Sequence, residues 1–158
     1  MSNPAATPVA VAAAAVQASK VYGSGDTEVR ALDDVTVSFG KGQFTAIMGP
    51  SGSGKSTLMH CLAGLDRLSS GQVFIGGVDL STLDEKALTQ LRRDQVGFVF
   101  QAFNLIPTLS AEENITLPMD LGGRKPDTSW LDTVIDTVGL RDRLSHRPSE
   151  LSGGQQQR

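Results

Sequence analysis

The sequence predicts an α/β fold, and three observations carry that prediction. Short apolar runs bounded by glycine or polar residues, Phe44–Met48 and Val96–Phe100, read as strands buried on both faces. Between them, Leu58, Cys61, Leu62 and Leu65 recur at i, i+3, i+4 and i+7, the spacing of a helix face. A glycine-rich turn joins the first run to this helix, so the order strand, loop, helix follows from periodicity alone.

The elements follow in chain order. Residues 1–18 are Ala- and Pro-rich and read as a flexible tail, with the domain running over 19–158. Within the tail, Val9–Val16 is the longest apolar run, far short of the roughly 20 residues that span a bilayer, and no basic start marks it as a secretory signal. Ser19–Phe39 alternates in a strand-like way, with Val35, Val37 and Phe39 on one face and Thr36 and Ser38 on the other. Gly40–Gly42 is a turn. Beyond the helix, Val73–Ile75 is a short strand closed by Gly76 and Gly77, and Ala87, Leu88 and Leu91 mark a helix over 84–93. Ser110 and Glu113 have capping-box spacing, residues 122–127 resemble a linker, and Leu131, Val134, Ile135 and Val138 give a helix stopped by Gly139. A helical insert of about 103–150 thus interrupts the α/β framework.

Composition narrows the partners. A chain of 158 residues with formal net charge −3 can bury one core and carries no overall field that attracts nucleic acid. Its single cysteine, Cys61, excludes an internal disulfide and fits a reducing compartment. The expectation is a cytosolic protein, or one held to a membrane only through a partner.

The turn itself, Gly49-Pro50-Ser51-Gly52-Ser53-Gly54-Lys55-Ser56-Thr57, has phosphate-binding loop spacing. Glycines admit positive φ and bring backbone N–H groups close to phosphate oxygens. The helix that starts at Lys55 aims its positive end at the same place. Lys55 supplies an ammonium for the outer phosphates and Ser56 a hydroxyl for Mg²⁺. A nucleoside triphosphate is the ligand this pattern predicts.

The last residues, Leu151-Ser152-Gly153-Gly154-Gln155, together with the loop and Val96–Gln101, resemble the ATP-binding cassette family in order and spacing from about Ser19 to Arg158. Segments such as "LAGLDRLSSG" and "RPSELSGGQQQR" are similar to cassettes of macrolide-export and lipoprotein-release systems, which pair with FtsX-like permeases. The resemblance implies a P-loop NTPase with an antiparallel β subdomain and a helical insert. It implies a transport-coupled ATPase that uses ATP and Mg²⁺, dimerises, and sits at the cytoplasmic face of the cell membrane through transmembrane permease subunits. By resemblance, Tyr22 stacks on adenine, and Gln101 touches Mg²⁺ and the attacking water. Ser152, Gly153, Gly154 and Gln155 would contact the nucleotide of a second subunit. Lys55 and Gln101 are thus the candidate catalytic residues, and Ser56 and Gln101 the candidate metal contacts.

The family continues past this motif with a strand carrying the Mg²⁺-binding aspartate and then a catalytic glutamate. Residues of that kind do not follow Leu151–Arg158 here, so the fold is expected to be truncated before that strand. A non-hydrolysing nucleotide-binding fragment, or a cassette serving cell division, are the alternative readings. His60 reads as a helix-face residue, His146 as a turn residue before Pro148, Cys61 as core and Trp130 as packing within the insert.

Overall fold

A computed structural model describes residues 10–158, so part of the expected tail lies outside the described residues. The chain divides into two compact units, one reaching Val96 and the other running from Gly97 to Arg158.

The first unit is built on a four-stranded antiparallel sheet in the order β2-β1-β3-β4. Its strands are β1 (Val11–Tyr22), β2 (Val29–Gly40), β3 (Ser70–Ile75) and β4 (Val78–Asp79). β1 is central: Ala14 stands opposite Ser38 of β2 and Phe74 of β3. A bulge interrupts it near Gln17, which sits at φ 49. Thr36 Oγ1 accepts from the Gln17 amide at 2.9 Å, and Ser19 Oγ accepts from the Asp34 amide at 2.9 Å, so two amides that leave the ladder keep partners. Gly71 lets β3 pass this bulge. A Cβ there would lie 2.2 Å from the Gln17 carbonyl oxygen, and its φ of 88 favours glycine.

Helix α1 (Lys55–Leu62) covers the sheet with Leu58 and Cys61, which pack against Ala15, Ala18 and Leu32. Alanines on β1 leave room for that approach. Burying Leu58 contributes roughly 1.5–3 kcal/mol. On the β3 side, α2 (Glu85–Gln95) packs Leu88 and Leu91 against Val73, Ile75 and Leu80. Asp84 caps α2 by accepting from the Ala87 amide at 2.7 Å.

The second unit holds α3 (Ala111–Leu121), α4 (Thr128–Val138) and α5 (Gly153–Gln157). Ser110 and Glu113 form the expected capping box, with hydrogen bonds of 3.2 and 2.7 Å. Gly139 ends α4 in the left-handed region at φ 66. Asn114 organises the chain before α3: its amide nitrogen donates to the carbonyls of Ile106, Leu109 and Ser110, while its Oδ1 accepts from the Ile106 amide. Arg158 Nη1 donates to the Val138 carbonyl at 3.1 Å, which ties the end of α5 to the end of α4.

Four expectations need correction. Residues 11–18, read as tail, form most of β1, with Ala15 and Ala18 fully buried. Small apolar side chains give little periodic signal, yet strands on both edges satisfy this backbone. The alternating stretch Ser19–Phe39 is not one strand but a hairpin, broken by a 3-10 turn at Gly25–Thr27. Phe44–Met48 and Val96–Phe100 lie in no ladder: Phe44 is fully exposed and Val99 nearly so, and only Ile47 of the first run reaches a core cluster. A strand that is apolar on both faces needs neighbours on both edges, and no described strand pairs with either run. Trp130, expected to pack inside the insert, is 66% exposed.

Candidate functional site

The glycine loop leads into α1 as its residues predict, although the stretch before it joins no described strand. Gly54 stands at φ 83 as the residue before α1, and a Cβ there would lie 2.2 Å from the Ala31 carbonyl oxygen of β2. Only glycine lets the loop rest on the sheet this closely. The helical ladder opens with the Leu58 amide donating to the Gly54 carbonyl at 2.8 Å. The amides of Lys55, Ser56 and Thr57 stand ahead of that bond, at the end of α1 where the helix dipole is positive.

Lys55 folds back over the loop. Its Nζ donates to the Gly49 carbonyl at 2.9 Å, the Pro50 carbonyl at 2.6 Å and Ser53 Oγ at 3.4 Å. These are uncharged acceptors for a full positive charge, and phosphate oxygens are stronger ones. Ser56 is exposed at the second position of α1. The donor set of ammonium, free helix-start amides and hydroxyl fits a polyphosphate. Among the described residues, no group of three or more His, Cys, Asp or Glu is gathered to hold a metal by itself. A cation here would rest on Ser56 and on oxygens brought by the ligand, the habit of Mg²⁺.

Tyr22 lies at the end of β1, 39% exposed. Its hydroxyl donates to Asp66 Oδ2 at 2.6 Å, and the Thr57 hydroxyl, on α1, is also within its reach. Lys20 Nζ stands 4.8 Å from the ring centroid and donates to Asp66 Oδ1 at 2.6 Å and to the Arg67 carbonyl at 2.6 Å. The hydrogen bond to Asp66 raises the Tyr22 phenol and the Lys20 ammonium above their ordinary values. Partial burial pulls the Asp66 carboxyl upward, but its bonds from Lys20 and Tyr22 outweigh that and hold it low. Nothing near Tyr22 in sequence marks Asp66 as its partner, since the two are 44 residues apart.

The remaining predicted residues belong to the second unit. Gln101 is exposed in a turn after Phe100, whose ring contacts Phe98 at a centroid distance of 4.5 Å. Ser152 caps α5: its Oγ accepts from the Gln155 amide at 3.3 Å, and Gln155 Oε1 accepts from the Ser152 amide at 2.9 Å. Gly153 and Gly154 are exposed on the same short helix. The structure therefore sets the Thr57 hydroxyl within reach of Tyr22 and places Gly49, Pro50 and Ser53 around the Lys55 ammonium. It keeps Ser152–Gln155 together in a separate capped turn.

Of the other candidates, Cys61 is buried as expected, and burial pushes its thiol upward. His146 sits in the turn before Pro148, its Nε2 3.3 Å from Arg143 and its carbonyl accepting from the Ala111 amide.

The ABC transporter family pattern matches residues 32–158. The chain belongs to the ABC transporter family. An uncharacterized ABC transporter ATP-binding protein of Thermotoga maritima is 47% identical over 141 residues, 88% of this chain and 60% of that protein. The macrolide export ATP-binding/permease protein MacB of Marinobacter nauticus is 46% identical over 142 residues, 89% of this chain and 22% of its own length. LolD, the lipoprotein-releasing system ATP-binding protein of Legionella pneumophila, is 44% identical over 141 residues, 88% of this chain and 62% of its own. Among solved structures, a dimeric ATP-binding cassette in a post-hydrolysis state, bound to ADP and Pi, superposes with a TM-score of 0.80 at 37% identity. That match covers 91% of this chain and 65% of the solved one. The ABC cassette described here is thus similar to MacB and LolD and spans less than two thirds of each of these relatives.

Proposed function

We propose that this ABC cassette binds ATP with Mg²⁺ and couples its binding and hydrolysis to an FtsX-like permease at the cytoplasmic face of the membrane. The observation that carries the reading is Lys55, held by the Gly49 and Pro50 carbonyls at the open start of α1. On binding, Lys55 exchanges these uncharged acceptors for phosphate oxygens, and the amides of Gly52 to Thr57 meet the same anion. Ser56 contributes a hydroxyl to Mg²⁺, which neutralises phosphate charge when bound. Tyr22 takes the adenine ring, and Gln101 orients water and metal.

Ser152, Gly153, Gly154 and Gln155 close the nucleotide of a second copy, an isologous arrangement in which each copy completes the other's site. The dimeric state of the solved relative supports this reading. No helix among the described residues is long and apolar enough to cross a membrane, which agrees with attachment through separate permease subunits.

The experiment is Lys55→Ala in the permease-associated protein. Hydrolysis should fall to background and ATP binding should weaken, because charge-assisted hydrogen bonds of roughly 1.5–3 kcal/mol each are lost. Wild-type turnover by this variant would overturn the assignment. For the dimer, a mixture pairing Lys55→Ala with Ser152→Arg should keep one intact site and trap one ATP.

A further inference from the structure

We propose that Asp66 is the positioning residue for Tyr22: one carboxylate oxygen takes the phenol and the other takes Lys20, so the ring stands with one face covered and the other open to an adenine base. The inference rests on the reading that Tyr22 stacks on the base, and it names the group that makes the ring ready to do so.

The geometry is specific. Tyr22 Oη lies 2.6 Å from Asp66 Oδ2, and Lys20 Nζ lies 2.6 Å from Asp66 Oδ1. Lys20 and Tyr22 are two residues apart on β1 and so project from the same side of the strand. That places the ammonium 4.8 Å from the ring centroid, and one carboxylate serves both groups. The carboxylate is itself fixed, because it follows the end of α1 and its neighbourhood is sewn to β1. Ser69 Oγ accepts from the Val21 amide at 3.0 Å, and the Ser69 amide donates to the Ser19 carbonyl at 2.9 Å. The Thr57 hydroxyl near the phenol links the same ring to the first turn of α1, where the phosphates are proposed to bind. Without Asp66, the ring would regain rotamer freedom that base binding must then remove. A free carboxylate near the base would otherwise repel a polyanionic ligand. Its neutralisation by Lys20 removes that objection.

The test uses the 158-residue chain, whose sole tyrosine is Tyr22, so phenolate absorbance reads this residue alone. In wild type it should titrate above the ordinary tyrosine value because the phenol donates to Asp66, and in Asp66→Ala it should move down. Binding is measured with two probes, ATP and inorganic tripolyphosphate. Asp66→Ala and Tyr22→Phe should each weaken ATP by roughly three- to tenfold, the loss of one hydrogen bond. The double variant should be no worse than either, and tripolyphosphate should bind all of them like wild type. Tyr22→Phe keeps the Lys20–Asp66 pair, and its ATP-against-tripolyphosphate comparison carries the test if Asp66→Ala fails to fold.

An unchanged phenol titration in Asp66→Ala overturns the proposal, as does equal weakening of ATP and tripolyphosphate. If Tyr22→Ala weakens ATP while Asp66→Ala and Tyr22→Phe do not, the positioning role alone is wrong. If Tyr22→Ala binds ATP like wild type, the base-stacking reading itself fails and the proposal fails with it.

Discussion

Two apolar stretches of the first unit behave in opposite ways. Residues 11–22, with five alanines and three valines among twelve residues, form a central strand of the sheet. Residues 44–48, with Phe, Ile, Thr and Met, have the better strand composition and form none. The difference is partners. β1 has β2 on one edge and β3 on the other, so its backbone groups are satisfied and its alanines lie under α1. The second stretch has no paired edge, and its Phe44 and Met48 face solvent. Strand formation here is a property of a pair of segments, and propensity is a weak guide to it.

The comparison can be broken with one substitution made twice. Ala18 is fully buried, and Ala18→Asp places an unpaired charge between sheet and helix. It should cost roughly 3–5 kcal/mol and abolish cooperative unfolding of the first unit, followed by circular dichroism in denaturant. Ala46→Asp, in the exposed stretch, should change stability by about 0.5 kcal/mol or less. Equal losses would mean that residues 44–48 are buried after all.

Gly54 marks where the unpaired stretch returns to the paired sheet. Gly54→Ala forces a Cβ against the Ala31 carbonyl at a positive φ and should cost about 1–3 kcal/mol. The same titration measures it, and a stability-neutral variant would show that the loop does not lean on β2. Ser110→Ala, in the second unit, removes one half of a capping box and should cost about 1 kcal/mol by the same measurement.

A smaller, pH-dependent effect sharpens how the end of β1 is held. Asp66 is held below its ordinary value, so its contribution to stability is present above that value and is lost as pH falls through the lower folded one. Lys20 is raised above its ordinary 10.5, so its contribution is present below 10.5 and is lost as pH rises through the higher folded value. The thermal midpoint should be flat across neutral pH and decline at both ends. Lys20→Met should lessen both declines, by no more than about 1 kcal/mol for a pair this near the surface. An identical pH profile in the variant would remove the pair from the account.

What the residues declare locally came through. The Gly49–Thr57 loop before a helix, Ser110 as a cap, and Gly139 as a stop each act within about one helical turn, so neighbouring residues carry the whole signal. Ser152 and Gln155 were legible as a motif, and their reciprocal hydrogen bonds span three residues.

The sequence by itself therefore determined the glycine loop before α1, the helix start at Ser110, the helix stop at Gly139 and the family. Tertiary structure alone decided that residues 11–18 are a central strand, that Phe44–Met48 stays outside the sheet, and that Trp130 faces solvent. It alone joined Lys20 and Tyr22 to Asp66 across 46 and 44 residues. The physical reason is range: a cap or a glycine turn is satisfied by atoms a few bonds away, whereas a strand edge or a shared carboxylate is satisfied only by what the rest of the chain brings to it.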